Sequence, residues 1–199
     1  MMILRYSAAS PYARKIRIAA DWLGVSGQIR LESANTADPA DSLRRQNPLG
    51  KIPTLILPDG VALYDSRVIA EFVDCLAGGG RLIPADPGRR IMTLRLQALG
   101  DGICDAALLI RHETATRRPE WRDPDAIALQ QGKIDRALST LEAEPPPAGA
   151  PDIGQIALAC ALGYLDLRFE GAWRQGHPRL AAWLADFAAR VPAYAASAS

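Results

Sequence analysis

Two short segments in the first third of the chain place polar groups at predicted helix starts. Ser10 precedes Pro11 after a short apolar run. Serine is favoured at a helix N-cap, and proline is tolerated at the first helical position. A helix N-terminus offers free N–H groups and the positive end of the helix dipole, and a nearby serine hydroxyl can donate a hydrogen bond to an anion. Ser10 is therefore either a candidate catalytic hydroxyl or an ordinary cap, with Ser7 as the alternative hydroxyl if Ser10 points away.

Asp65 and Ser66 form the second segment, where a predicted strand gives way to a helix. This helix start can receive a carboxylate, with Ser66 donating through its N–H and its hydroxyl, and Asp65 can face an ammonium group. The same dipeptide can equally be a helix cap without a ligand. Upstream, Lys51 can pair with a carboxylate or stay solvated. Pro53 suits the start of a strand because it has no N–H to donate to a sheet.

The first 80 residues predict an α/β unit that would position these groups. Two apolar runs on either side of Pro58-Asp59-Gly60 indicate a β-hairpin. The expected elements are, in order, a strand at residues 2–6, a helix from Ser10 to Gly24, a strand at 28–32, a short helix at 39–46, a hairpin at 52–64 and a helix that begins at Asp65. The apolar stripe of this last helix is expected to be buried and consists of Ile69, Phe72, Val73 and Leu76. The order βαβαββα corresponds to a small mixed sheet with helices packed on it.

A linker and a wholly helical region follow this unit. The linker is indicated by Gly78-Gly79-Gly80 together with Pro84, Pro87 and Gly88. Beyond it, apolar residues recur at helical spacing in four segments, and Asp152-x-x-Gln155 predicts a capping box at the start of the third. We expect a first domain at residues 1–78 and an all-helical second domain at residues 86–199, with a frayed tail at 193–199.

The composition argues against several classes of protein. The 23 basic and 22 acidic residues give a net charge of +1, and neither half of the chain has the basic surplus that nucleic-acid binding requires. No apolar stretch reaches the ~18 residues of a membrane span, and we see no signal peptide. The three cysteines are widely separated, which fits a reducing cytoplasm. With only two histidines and no Cys-x-x-Cys pair, a metal site is not expected.

Four motifs occur in an order that resembles the cytosolic glutathione S-transferase family. They are Ser10-Pro11-Tyr12-Ala13-Arg14-Lys15, then Asn47-Pro48-Leu49-Gly50-Lys51-Ile52-Pro53, then Asp65-Ser66, and finally Asp152-Ile153-Gly154-Gln155-Ile156-Ala157-Leu158. The resemblance spans nearly the whole chain, and serine before Pro-Tyr is similar to the bacterial serine-type members. It implies an N-terminal thioredoxin-like domain (βαβαββα) followed by an all-helical C-terminal domain. The chain departs from the usual family motifs at Asp65, Asp152 and Gln155.

The resemblance also implies a role for each site residue. Ser10 would stabilise the thiolate of glutathione, the implied co-substrate. Ile52 would bind the cysteinyl part through its backbone, and Pro53 would follow a cis peptide bond. Lys51 would pair with the glycyl carboxylate. Asp65 and Ser66 would hold the ammonium and carboxylate of the γ-glutamyl group.

Three functions remain open at this point. The first is a glutathione S-transferase that conjugates the glutathione thiolate to a small, electrophilic, largely apolar substrate. The second is a related isomerase or dehalogenase that uses glutathione as a cofactor, and the third is a non-catalytic protein with the same fold. The resemblance further implies a homodimer, joined through the segment from Phe72 to Leu76 and the long helices of the partner.

Overall fold

The N-terminal half of the computed structural model, which describes residues 1–197, is built on a four-stranded mixed sheet. Its elements are β1 (Met2–Tyr6), α1 (Pro11–Trp22), β2 (Ile29–Ser33), α2 (Leu43–Gln46), β3 (Thr54–Ile56), β4 (Ala62–Leu63) and α3 (Ser66–Leu76). The strand order is β2-β1-β3-β4, with β1 and β2 parallel and the other pairs antiparallel. Leu4 on the central strand is opposite Leu31 on one side and Leu55 on the other. This arrangement confirms the predicted thioredoxin-like domain.

The β3–β4 hairpin turns as the sequence predicts. The N–H of Gly60 donates to the carbonyl of Leu57 at 2.9 Å, and the N–H of Leu57 donates to the carbonyl of Val61 at 2.8 Å. Gly60 has a φ of +90°, a conformation that glycine adopts without a steric penalty. The turn brings the chain back alongside β3 and delivers it to the start of α3.

Helices alone make up the second half as far as residue 197. They are α4 (Pro87–Arg111), a π-helical segment (His112–Thr116), α5 (Pro124–Ala143), α6 (Ile153–Phe169), α7 (Pro178–Arg190) and α8 (Pro192–Ala196), with short 3₁₀ turns between some of them. Most of α6 is buried, because it packs against both α4 and α1. None of the helices in residues 1–197 is both long and apolar enough to cross a membrane. The predicted all-helical second half is thus confirmed.

Several details differ from the sequence predictions. The short helix expected at residues 39–46 begins only at Leu43. Pro87 and Gly88 belong to α4 and not to a linker, because Asp86 caps that helix and proline fits its first turn. Leu76 is 39% exposed and therefore lies outside the buried stripe of α3, in which Ile69 and Val73 are buried.

The predicted capping box at α6 is only half formed. The Asp152 carboxylate accepts a hydrogen bond from the Gln155 N–H at 2.8 Å, as expected for the N-cap. The Gln155 side chain does not return to the N-cap; its Nε2 donates to the Pro147 carbonyl at 2.9 Å, and its Oε1 is buried without a hydrogen-bond partner. Asp152 instead gains a second contact, from the Thr93 hydroxyl at 2.8 Å, which fastens α6 to α4.

The frayed tail predicted for residues 193–199 is wrong over residues 193–197, and residues 198–199 lie outside the described part of the chain. Residues 192–196 form α8, and the Tyr194 ring packs edge-on against Phe187 with centroids 5.8 Å apart. Arg14 of α1 donates to the Tyr194 carbonyl at 2.7 Å and to the Ser197 hydroxyl at 3.1 Å. The small, helix-favouring residues of this segment therefore pack against α1 and α7.

A buried ion pair joins the two halves. The Lys15 ammonium of α1 lies 2.7 Å from one carboxylate oxygen of Asp101 on α4, and both side chains are at most 5% exposed. The other oxygen of Asp101 accepts a hydrogen bond from the Arg67 guanidinium of α3 at 3.1 Å. A buried charge is costly unless it is paired, so this carboxylate fixes α1 and α3 against α4.

Close backbone contact between α4 and α6 requires a glycine at position 100. A Cβ on Gly100 would lie 2.9 Å from backbone atoms of Ala157 and Leu158. Gly102, two residues further along α4, would place its Cβ in open space.

We expect Gly100→Ala to lower the free energy of unfolding by about 1–3 kcal/mol, because the two backbones must separate. Gly102→Ala should instead raise it, by up to about 1 kcal/mol, through better helix propensity. Urea denaturation followed by circular dichroism measures both. Equal effects of the two substitutions would show that the α4–α6 contact does not require a glycine at position 100.

Replacing Asp101 by leucine leaves the Lys15 ammonium buried without its counter-ion. We expect Asp101→Leu to lower the free energy of unfolding by about 3–5 kcal/mol. The double variant Lys15→Met with Asp101→Leu removes both charges and should recover most of that loss. If the double variant were no more stable than the single one, the pairing of Lys15 would not be what stabilises this contact. Thermal and urea unfolding of the three proteins provide the comparison.

Candidate functional site

A cleft of about 1020 Å³ opens between the sheet domain and the helices α4 and α6. The cleft is lined by all six residues that were predicted to form the site, namely Ser10, Lys51, Ile52, Pro53, Asp65 and Ser66. The opposite wall is formed by residues of α4 and α6, among them Asp105, Leu108, Tyr164 and Arg168. The α/β half therefore supplies one wall of the cleft and the helical half supplies the other.

Ser10 lies at the start of α1 and acts as its N-cap. Its Oγ accepts a hydrogen bond from the Ala13 N–H at 3.3 Å, so the capping role is present in the fold. Capping uses the oxygen as an acceptor and leaves the hydroxyl hydrogen available for a group in the cleft. Ser7, the alternative hydroxyl, also lines the cleft.

The segment before β3 is held by the side chain of Asn47, which is almost fully buried. Its amide nitrogen donates to the Lys51 carbonyl at 3.0 Å and to the Thr54 hydroxyl at 3.1 Å, while its oxygen accepts from the Leu49 N–H at 3.0 Å. The Ile52–Pro53 peptide bond between these anchors is cis, as the resemblance implies. In the sequence Asn47 stands out only as part of a motif, and nothing around it indicates this supporting role.

The start of α3 forms the other side of the sheet-domain wall. Asp65 is its N-cap and accepts a hydrogen bond from the Arg67 N–H at 2.9 Å. Ser66, the first helical residue, is buried although its position borders the cleft. The Tyr64–Asp65 peptide bond is also cis. The free N–H groups of this helix start thus face the same cleft as the start of α1.

Tyr12 contributes a hydroxyl that the sequence analysis did not single out. It donates a short hydrogen bond across the cleft to the Asp105 carboxylate of α4. Burial raises the pKa of the Tyr12 phenol far above its usual range, and the hydrogen bond to Asp105 raises it further. The phenol therefore stays protonated and connects the two walls. Asp105 therefore differs from Asp101, whose carboxylate is held in ion pairs with Lys15 and Arg67.

The two buried thiols, Cys104 and Cys160, have little reactivity of their own inside the fold. Burial raises the pKa of Cys104 well above its usual range and raises that of Cys160 to about 12. A thiol reacts as its thiolate, so both are inert at neutral pH. Cys75 is exposed on α3 and does not line the cleft. Within residues 1–197, no cluster of histidine, cysteine, aspartate and glutamate could hold a metal ion.

Comparison with known proteins agrees with this geometry. Residues 9–76 match the family model described as glutathione S-transferase, N-terminal domain, and residues 124–186 match the corresponding C-terminal domain. The chain is 32% identical over 166 residues, or 81% of each chain, to the uncharacterized GST-like protein YibF of Escherichia coli strain K12.

Solved structures of related proteins superpose over nearly the whole chain. A glutathione transferase family member from Pseudomonas fluorescens Pf-5 with bound glutathione has a TM-score of 0.90 at 40% identity, covering 99% of this chain and 98% of that one. The same family member is also known with bound S-(propanoic acid)-glutathione. A glutathione S-transferase from Methylobacillus flagellatus with bound glutathione has a TM-score of 0.91 at 37% identity, covering 100% and 99%. This chain therefore belongs to the glutathione S-transferase family.

Proposed function

We propose that this protein is a serine-type glutathione S-transferase that conjugates the glutathione thiolate to a small, electrophilic, largely apolar substrate. The observation that carries the proposal is that Ser10, the Ile52–Pro53 segment and the start of α3 all line one cleft. Relatives with 37–41% identity carry glutathione or a glutathione conjugate. We assign glutathione binding to residues 1–78 and binding of the second substrate to residues 86–199.

Glutathione would bind along the sheet-domain wall. The start of α3 suits the γ-glutamyl carboxylate, with the N–H and hydroxyl of Ser66 as donors, and Asp65 keeps one carboxylate oxygen for the ammonium group. The backbone of Ile52, fixed by the cis bond before Pro53, would pair with the cysteinyl part. Lys51 is exposed and can reach the glycyl carboxylate.

Ser10 would supply the chemistry by stabilising a thiolate. A free thiol with a pKa of ~8.5 is only about 3% ionised at pH 7. Hydrogen bonding from the Ser10 hydroxyl and the positive end of the α1 dipole both favour the charged sulfur. The thiolate then forms a bond to the electrophilic carbon, and the leaving group departs with the electron pair of its own bond.

The conjugate bound to the Pseudomonas relative favours transfer over the isomerase alternative, because its sulfur carries a carbon substituent. An isomerase would return glutathione unchanged. A mass spectrum of the product separates the two reactions, since a retained glutathionyl group excludes isomerisation.

We further propose that the protein acts as a cytoplasmic homodimer. Exposed apolar side chains lie on α3 and on the first turns of α4, namely Val68, Leu76, Ile91 and Met92. In a contiguous patch, such residues would be typical of an interface between subunits. The placement agrees with the interface that the family resemblance implies around Phe72 to Leu76.

Isothermal titration with reduced glutathione tests the ligand site. We expect saturable binding by the unmodified protein and a dissociation constant raised roughly tenfold in Ser66→Ala, because a hydrogen bond to a charged carboxylate is lost. Ser139→Ala, on the exposed face of α5, is the matched control and should bind normally. Absence of binding by the unmodified protein would favour the non-catalytic alternative, with the fold unchanged.

Steady-state kinetics on an accepted electrophile test Ser10. We expect Ser10→Ala to lower kcat/KM by roughly 100-fold, comparable to the loss of one preorganised donor to a developing charge. The pH at which the rate rises should move upward, because the thiol of bound glutathione regains a higher pKa.

Ser10 also caps α1, so a second variant separates the two roles. Ser10→Gly removes the hydroxyl at a cost of only a few tenths of a kcal/mol to the cap, and it should lose as much activity as Ser10→Ala. If turnover of every electrophile were unchanged in both variants, the assigned role of Ser10 would be wrong. Ser7→Ala then tests the alternative hydroxyl.

A further inference from the structure

One end of the cleft carries positive charge that the described residues do not neutralise. Arg168, in the last turn of α6, lines the cleft there. Its Nε is buried without a hydrogen-bond partner, and no carboxylate of residues 1–197 lies within 4.0 Å of its guanidinium. By contrast, Arg174 close by binds both oxygens of Asp166, at 2.8 and 2.6 Å. Arg168 is thus a partly buried cation facing an open space.

We propose, on the basis of the transferase function proposed above, that this end of the cleft binds an anionic group of the second substrate. The electrophile would be a small molecule with an apolar middle and a carboxylate at the end remote from the reacting carbon. Arg168 is the specificity-determining residue.

The usual role of a basic residue at the end of a helix does not account for Arg168. A basic residue in the last turn of a helix can donate to the final carbonyl oxygens and complement the helix dipole. No hydrogen bond from Arg168 to a carbonyl oxygen is formed within residues 1–197, unlike Arg14 and Arg179, whose guanidinium groups donate to backbone carbonyls. The buried Nε therefore gains no hydrogen bond from the helix end, which leaves this arginine incompletely satisfied by the described residues.

Tyr164 adds a neutral donor beside this cation. The Arg168 guanidinium lies 5.8 Å from the centre of the Tyr164 ring, one helical turn earlier on α6. Burial raises the pKa of the Tyr164 phenol, while the charge of Arg168, a hydrogen bond from Arg168 and the charge of Arg111 partly oppose that rise. Two cations thus act on one phenol that keeps its proton at neutral pH. A guanidinium and a phenol side by side suit a carboxylate, which accepts from both.

Both acidic residues of α4 that line the cleft already have partners. Asp101 is paired with Lys15 and Arg67, and Asp105 accepts the Tyr12 hydroxyl. Arg111 follows Asp105 by six residues, which places it about 9 Å further along the α4 axis at 1.5 Å per residue. Leu108 lies between them and borders the cleft. Arg111 does not itself line the cleft, but its charge acts on the Tyr164 phenol that does.

The proposed contact between Arg168 and the substrate carboxylate takes no part in the chemical step. The sulfur forms its bond at the electrophilic carbon near Ser10, and the leaving group takes the electron pair of the broken bond. The remote carboxylate keeps its charge throughout and serves to orient the substrate. Binding energy realised at a distance from the reacting atoms can position the electrophile for attack.

Binding of synthetic conjugates tests the proposal without requiring turnover. The probes are S-(ω-carboxyalkyl)glutathiones with one to five methylene groups, each compared with the S-alkyl conjugate of the same chain length. Isothermal titration is run at fixed, low salt on the unmodified protein and on Arg168→Met, Arg168→Lys and Arg136→Met. Arg136 is an exposed arginine of α5 outside the cleft and is the matched control.

We expect the carboxylate conjugate of at least one length to bind the unmodified protein on the order of tenfold more tightly than its uncharged counterpart. Arg168→Met should abolish that advantage while leaving the S-alkyl conjugates unchanged, which also shows that the variant is folded. Arg168→Lys should restore part of the advantage, and Arg136→Met should keep all of it.

Two contrary results have different meanings. If every carboxylate conjugate bound the unmodified protein no better than its uncharged counterpart, or if Arg168→Met kept the advantage, the anion site would be refuted and the transferase function would stand. If neither glutathione nor any conjugate bound the unmodified protein, the proposed function and the anion site would both be wrong.

Discussion

The carboxylate of Asp101 is the constraint around which the site is organised. Its two oxygens bind Lys15 of α1 and Arg67 of α3, and Asp101 itself belongs to α4. The helices whose N-termini face the cleft are thereby fixed against the helix that forms its opposite wall. A buried carboxylate tolerates little movement of its partners, because any separation leaves a charge in a poorly hydrated interior. The relative position of the two walls is therefore set by ionic contacts as well as by apolar packing.

The cleft assembled in this way has an uneven distribution of charge. The starts of α1 and α3 provide partial positive charge and free N–H groups on one wall. On the other wall, the acidic residues nearest these helix starts are engaged by Lys15, Arg67 and Tyr12. Asp101 is thus paired with two cations, whereas Asp105 is hydrogen-bonded to the neutral Tyr12 phenol. The fold provides this environment largely with backbone groups, which need no reorganisation when charge develops.

Helix caps and turns could be predicted from the sequence, because their hydrogen-bond partners lie within the same short segment. The caps at Ser10, Asp65 and Asp152 each bond a backbone N–H two or three residues ahead, so the segment itself contains the necessary information. The hairpin turn at Gly60 is of the same kind. From these elements and the family resemblance, the order of strands and helices and the residues lining one wall of the cleft could be predicted.

Contacts between segments that are far apart in the chain could not be predicted from the sequence. Lys15 and Asp101 are 86 residues apart, and nothing in either neighbourhood identifies the partner. Gln155 satisfied the pattern of a capping box, yet its amide nitrogen donates to the Pro147 carbonyl and its oxygen accepts no hydrogen bond from the N-cap N–H. The final helix was missed because its alanine-rich sequence has few large apolar residues, and its position depends on Arg14 near the opposite end of the chain. Long-range partners of this kind follow from the tertiary fold and not from periodicity.

The contact between Arg14 and the last helix has a consequence for how the protein is made. Translation releases the N-terminal domain first, and its sheet and first helices can form while the ribosome is still adding the helical half. Arg14 lies in the same helix start as Ser10, but its acceptors at Tyr194 and Ser197 are synthesised 180 and 183 residues later. The nascent chain therefore cannot complete the support of its first helix until α8 has been synthesised.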